Sequence, residues 1–283
     1  MSLIVVALLL WAVAPAHGSD GEASAAGGVE PLIVRERPAL PPIPSGSVTL
    51  TPREIDALVL PRTGAVIYFP SIDRFVGHEG APLQFRPLSL FAKGGRIRNV
   101  ANGSESEQSP PNRQYYLASN ATTSIGLAVD AATGEITGFA LRGASRVQLG
   151  GNMMARLEFS PVEALPEGVN SCGTDAFDLS AGTPSVPSGL STPSRSAALA
   201  GEAISYQAVV AVDTDSEWLV GFADDTIAAM DWITDLFLAM NVFYERDVET
   251  RLLIGEVTLR TGSDPYSVPN DRLGQLNEFG RYW

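Results

Sequence analysis

The side chains able to do chemistry are few in this sequence. Among 283 residues there are two histidines, His17 and His78, and one cysteine, Cys172. No two histidines stand at i and i+4 and there is no Cys-x-x-Cys, so the ligand spacing of a zinc site does not arise within the chain. A Ser–His–Asp triad would have to use His78, and no Gly-x-Ser-x-Gly turn accompanies it. Flanked by Gly77 and Glu79, His78 reads as a loop histidine. Asp231 and Asp235 stand four residues apart, which places them on one helical face, where solvation is the plain reading. Asp213 and Asp215 follow an apolar run that reads as a strand. Ligands often bind at such strand ends in α/β folds, but turn positions are the simpler use of these two residues. Asn102-Gly103-Ser104 and Asn120-Ala121-Thr122 match the N-glycosylation acceptor pattern, which matters only in a eukaryotic host.

Cys172 asks for an explanation because of where the chain is expected to go. Residues 3–14 are uninterruptedly apolar and lead into Ala14-Pro15-Ala16-His17-Gly18. That is the build of a secretory signal peptide, too short as a helix for a ~30 Å hydrocarbon core. A signal peptide over 1–18 and a secreted or extracytoplasmic location follow, with no membrane attachment once the signal is removed. A lone thiol in an exported chain cannot close an internal disulfide, so it is free, intermolecular or held by another group. Composition alone favours an inert buried thiol.

The formal net charge is −13, and residues 201–283 carry fifteen acidic and five basic side chains, a net of −10. Nucleic acid is a poor partner for such a surface, since backbone binding needs clustered Lys and Arg. Lys93 is the only lysine, so the positive charge is almost entirely arginine.

Residues 19–47, rich in Gly, Ala, Pro and Ser, read as a flexible leader. Thr51-Pro52-Arg53-Glu54 is a capping box with proline at the first helical position, which predicts a short helix over 52–59. From about 64 to 160 the pattern is β. Val66–Phe69 is an apolar run; Ile125, Leu127 and Val129 alternate with smaller residues; Asp130–Gly134 is a turn, and Ile136–Leu141 returns as the partner strand. Further strands are expected near 84–91, 114–118, 145–149 and 154–160, giving a β-rich antiparallel domain over 48–178. Residues 179–202 hold almost nothing large, and nothing there offsets the entropy of ordering, so they read as a linker. Arg195 is its only basic residue and the candidate processing site, since exposed stretches of small residues are where chains are nicked.

Beyond the linker the character changes. Ala203–Val212 reads as a buried strand. Ile227, Met230, Ile233, Phe237, Met240 and Tyr244 then step by three and four residues along one face of a long helix. Thr250–Arg260 is a second strand. Strand, long helix, strand opens an α/β unit with a crossover onto a parallel sheet. Two strands and one helix would leave exposed edges and little core, so residues 203–283 are expected to be an incomplete subdomain. The fold class is α+β overall.

The run ISYQAVVAVDTDSEWLVGF and then LFLAMNVFYERDVETRLLIGEVTLRTGSDPY, within residues 204–283, resembles the opening of the catalytic domain in reprolysin-like (adamalysin-type) metzincins, particularly bacterial secreted ones. The likeness rests on a first strand, a long helix ending in Asn241 to Tyr244, a second strand, and Asp264-Pro265-Tyr266. The β-rich region, including the Leu127–Leu141 hairpin, is similar to the propeptide of that family. The resemblance implies a β-rich propeptide over 48–178, a linker over 179–202, and the N-terminal part of a metzincin-type α/β subdomain over 203–283. It implies a zinc metalloendopeptidase zymogen whose full-length form binds zinc and cleaves protein or peptide substrates. It also implies a role for Cys172 as latency ligand. A thiolate is a strong fourth zinc ligand at ~2.3 Å and would displace the attacking water, and Gly173 leaves room for close approach. The family's His-Glu-x-x-His-x-x-Gly-x-x-His helix is missing, so no catalytic residue carries over. The chain alone is expected to bind no zinc and to be inactive. Gln207 stands where animal relatives often carry a calcium-binding glutamate, so calcium is not implied. A second expectation, from another class, is a secreted non-catalytic binding or inhibitory protein built on the propeptide-like β-domain.

Overall fold

Thr51, Glu54 and the proline between them start a helix as their spacing predicts, and from there the computed structural model follows the chain through thirteen strands and four helices among the described residues. In order these are β1 (Val5–Ala7), β2 (Gly46–Val48), α1 (Pro52–Val59), β3 (Ile67–Tyr68), α2 (Pro70–Val76), β4 (Gln84–Leu88) and β5 (Phe91–Ala101). Then come β6 (Ser104–Gln108), β7 (Arg113–Ser119), β8 (Thr123–Asp130), β9 (Glu135–Arg142), β10 (Ser145–Asn152) and β11 (Leu157–Pro161). The last four are β12 (Tyr206–Asp213), α3 (Ser216–Val220), α4 (Thr226–Val248) and β13 (Thr250–Thr261). The structure describes residues 5–7, 40–59, 65–77, 81–153, 156–162 and 206–262, with Pro265, Tyr266 and isolated positions beyond. Cys172, Arg195 and His78 lie outside the described residues.

An eight-stranded antiparallel sheet runs in the order β2-β11-β10-β9-β8-β7-β4-β3 and curls around a first core. The helices α1 and α2 enter that core through Leu58, Ile72 and Val76. Glu54 joins the two helices. Its carboxylate accepts from Thr51 N at 2.7 Å, closing the capping box, and from Ser71 N and Oγ at 2.7 and 2.8 Å. Burial alone would raise its pKa, but the hydrogen bonds from Thr51 and Ser71 outweigh that and hold it below its ordinary value. The buried Arg142 donates to the carbonyls of Val76 and Gly77, where a cation suits the end of α2.

A second, five-stranded sheet has the order β1-β12-β13-β5-β6. β12 and β13 are parallel, with α4 as their crossover. β13 is also parallel to β5, and β5 returns antiparallel as β6. β1 lies antiparallel on the outer edge of β12, Val5 opposite Asp213 and Ala7 opposite Ala211. The β5–β6 hairpin is thus an arm. The strands on either side of it in sequence, β4 and β7, pair with each other in the eight-stranded sheet, while the arm leaves to join the other sheet. The arm turns on Asn102-Gly103, with φ of 49° and 80°. Two positive φ values in a two-residue loop are what a type I′ hairpin requires.

Between the sheets lies α4. Asp225 caps it by accepting from Ile227 N and Ala228 N at 2.9 and 3.1 Å. The sequence predicts one apolar face from Ile227 to Tyr244, yet both of those end residues are exposed. The buried positions are Ala229, Met230, Ile233, Thr234, Phe237, Leu238, Asn241 and Val242, two adjacent rows rather than one. The reason is that α4 packs against β13 on one side and against β8 and β9 on the other. It is the one helix among the described residues long and apolar enough to cross a membrane. Gly126 of β8 allows the close approach, because a Cβ there would come within 2.9 Å of the Leu238 side chain.

Replacing Glu54 by Ala removes the hydrogen bonds that join α1 to α2, and a loss of about 2 kcal/mol is expected. The folded-state pKa is lowered, so this stability is present above the ordinary value and fades as pH falls through the lowered one. Urea unfolding of parent and variant should therefore show a deficit at neutral pH that narrows in acid. A deficit independent of pH would contradict the assignment.

Candidate functional site

The C-terminal ends of parallel strands are where α/β sheets place ligands, and the residues at the ends of β12 and β13 are polar and buried. Asp213, last in β12, accepts from Arg260 Nε at 2.7 Å and Nη2 at 2.8 Å. The Tyr266 hydroxyl donates to the same carboxylate at 2.5 Å, and the Arg260 guanidinium lies 5.7 Å from the Tyr266 ring. Thr214 N donates to Thr258 O at 3.0 Å, and Arg260 N donates to Thr214 Oγ1 at 3.1 Å. Asp215 caps α3 by accepting from Trp218 N at 2.6 Å. Both aspartates singled out at this strand end are therefore occupied in structure. Asp213 has two oxygens on one guanidinium, which ties the two strand ends together.

Asn241, which opens the Asn-to-Tyr stretch at the end of α4, is a fully buried latch. Its Nδ2 donates to Phe237 O and Leu252 O, each at 3.0 Å, and its Oδ1 accepts from Leu252 N at 2.8 Å. The helix end is thereby held to the start of β13. Tyr244 is exposed, and Gln207 is exposed near the start of β12.

Asp231 and Asp235 are half-buried and stand on a face that is only partly solvated. They look from α4 onto β7 and β9, where the buried Arg113 approaches Asp235 to 3.0 Å and Asp231 to 3.8 Å. Thr137 of β9 donates to Asp235 at 3.0 Å, and Arg113 also donates to the Thr137 hydroxyl. Desolvation pushes both carboxyls above their ordinary value, and Arg113 offsets this only in part. Tyr115, buried next to this cluster, is pushed up to about 12 by the same desolvation.

Those contacts belong to a seam. Arg86 pairs with Glu245, which also holds Arg251 at 2.7 Å. Arg96 pairs with Glu256 at 2.6 Å, and Arg98 pairs with the same carboxylate. Arg146 lies 5.9 Å from the Phe243 ring, which also meets Phe139 at 5.4 Å. A single core holds Leu88, Leu90, Ile97 and Leu117 together with Val210, Phe237, Ile254 and Leu259. The sequence reading missed the arm that makes this seam. Its signal in the sequence is Asn102-Gly103, a strong hairpin dipeptide that also opens a glycosylation pattern.

No protein-family model matches the chain, and no curated protein matches it. What the site can do is then a question of its own chemistry. Among the described residues no group of three His, Cys, Asp or Glu side chains is placed to hold a metal ion. The zinc implied by the resemblance finds no ligand set among them. Among the described residues the polar groups that converge do so in pairs of opposite charge, in capping contacts, or in neutral hydrogen bonds such as those of Asn241 and Thr214. Their arrangement holds two stretches of chain together.

Arg260→Met would leave Asp213 buried beside an apolar side chain, and breaking one partner of such a pair costs about 3–5 kcal/mol. Asp231→Asn should behave in the opposite sense. The raised folded-state pKa means that its stabilising contribution exists below 3.8 and is lost as pH rises through the raised value. Relative to the parent, the Asn variant should gain stability from acid to neutral pH in urea titrations. A variant that falls behind as pH rises would contradict the desolvated placement.

Proposed function

We propose that this chain is the non-catalytic front portion of a secreted zinc metalloendopeptidase precursor of reprolysin-like type. In this reading residues 48–178 are the propeptide, 179–202 the linker, and 203–283 the start of the catalytic domain. The observation that carries the reading is the β12–α4–β13 unit: parallel strands joined by a long helix, latched by Asn241, with Asp213 and Tyr266 tied at the strand ends. The two strands, the helix end at Asn241 and Tyr266 are among the features on which the resemblance rests. The likeness extends to the role of the β-rich region, which covers one edge of the unit and one face of its helix. Peptide-bond hydrolysis would belong to the full-length protein, with zinc as its cofactor and proteins or peptides as substrates. Cys172 would be the latency ligand and Arg195 the processing point. Residues 1–18 would direct export, and their removal would take β1 from the edge of β12.

The alternative is a secreted, non-catalytic binding or inhibitory protein. What favours it is that β13 finds a partner on each side within this chain, so the unit does not leave that edge open.

Reading the coding DNA in frame past the Trp283 codon separates the two. His-Glu-x-x-His-x-x-Gly-x-x-His downstream is the expected result, and a stop codon without it would overturn the precursor reading. For the alternative, a reprolysin-like peptidase assayed on a fluorogenic peptide should be inhibited by the full chain and lose that inhibition with Cys172→Ser. Equal inhibition by both would rule out the thiolate.

A further inference from the structure

The seam is built with the charges sorted by segment. Among the described residues, every ion pair across it has the arginine on the 84–161 side and the carboxylate on the 206–261 side. Arg86 meets Glu245, Arg96 and Arg98 meet Glu256, and Arg113 meets Asp231 and Asp235. Between these pairs the backbone is continuous. β5 pairs with β13 from Glu256 opposite Arg96 to Thr261 opposite Ala101, and Ile254 N donates to Leu90 O at 2.7 Å. Gln108, at the end of β6, donates to Thr226 O at the start of α4. The apolar side chains of both segments fill one core. Strand addition supplies affinity through the main chain, and complementary charge supplies register and selectivity.

We propose that residues 84–161 form a docking platform for the β12–α4–β13 unit, and that the two hold together without a covalent link between them. The β5–β6 arm is the recognition element. It adds a parallel strand to β13 while the arginines fix its register against Glu256, Glu245 and the Asp231–Asp235 pair. The partner this platform fits is a strand–helix–strand segment with carboxylates at those positions. A cut anywhere in 179–202 would therefore leave a two-piece protein, not two free fragments. This holds whether or not a zinc site follows, so it stands apart from the precursor reading.

The test uses the full chain with a site-specific protease sequence replacing part of 185–192 and an N-terminal affinity tag after residue 18. After complete cutting, the fragment that begins beyond the site should be retained with the tagged fragment in native buffer. It should co-elute at the size of the uncut chain and separate only in denaturant. Glu256→Arg combined with Asp235→Arg should weaken retention by about tenfold or more. The uncut form of that variant serves as the folding control, and raised ionic strength on the parent serves as a substitution-free check. Fragments that part in native buffer after cutting, while the uncut chain elutes as folded, would overturn the proposal. Retention unaffected by charge reversal and by salt would overturn the role given to the arginines.

Discussion

Parallel neighbours cannot be joined by a tight turn, so each must be delivered from elsewhere in the chain. β13 has two of them. One, β12, arrives through α4, as the local sequence pattern requires. The other, β5, comes from far away, since Arg96 and Glu256 are 160 residues apart. The five-stranded sheet, the placing of α4 between two sheets and the shared core all depend on that second pairing. Contacts of such separation bring late returns for the entropy of loop closure, so β13 is expected to settle only after the antiparallel sheet has formed.

Electrostatics reinforces this order. The acidic character of residues 201–283 is answered by arginines of the β-rich region, and the interaction is distributed rather than concentrated in one pair. Exposed pairs contribute little singly, but Arg113 is buried, and its loss would strand two carboxylates already pushed toward protonation by burial. At the other end of the unit, Asp213 and Arg260 perform the same service within β12 and β13. The molecule is held where opposite charges close apolar seams, and its conspicuous aspartates are structural.

Much of the secondary structure could be read from the residues. The capping box at Thr51 gives α1, the alternation through Ile125 and Val129 gives β8, and the turn at Asp130–Gly134 gives its hairpin with β9. The strand–helix–strand pattern gives β12, α4 and β13 in the right order. The arm was hidden because Phe91–Ala101 carries two glycines and three charges, Lys93, Arg96 and Arg98, where a strand pattern would alternate, and because its partner lies so far along the chain. The fate of Asp231 and Asp235 was hidden for a related reason. A helical wheel shows one polar face, but only the tertiary fold reveals that Arg113 waits there. Two-sided burial of α4 likewise cannot be seen in a one-face periodicity.

If the β-rich region and the β12–α4–β13 unit are one cooperative body, then their backbones open together. Hydrogen exchange on the full chain, followed by mass spectrometry of peptides covering 97–101, 125–141 and 252–260, tests this directly. The expected result is comparable protection for all three, lost at the same denaturant concentration. Rapid exchange across 206–261, with 125–141 still protected, would contradict the joint at β5 and β13 and with it the account of how this protein is held together.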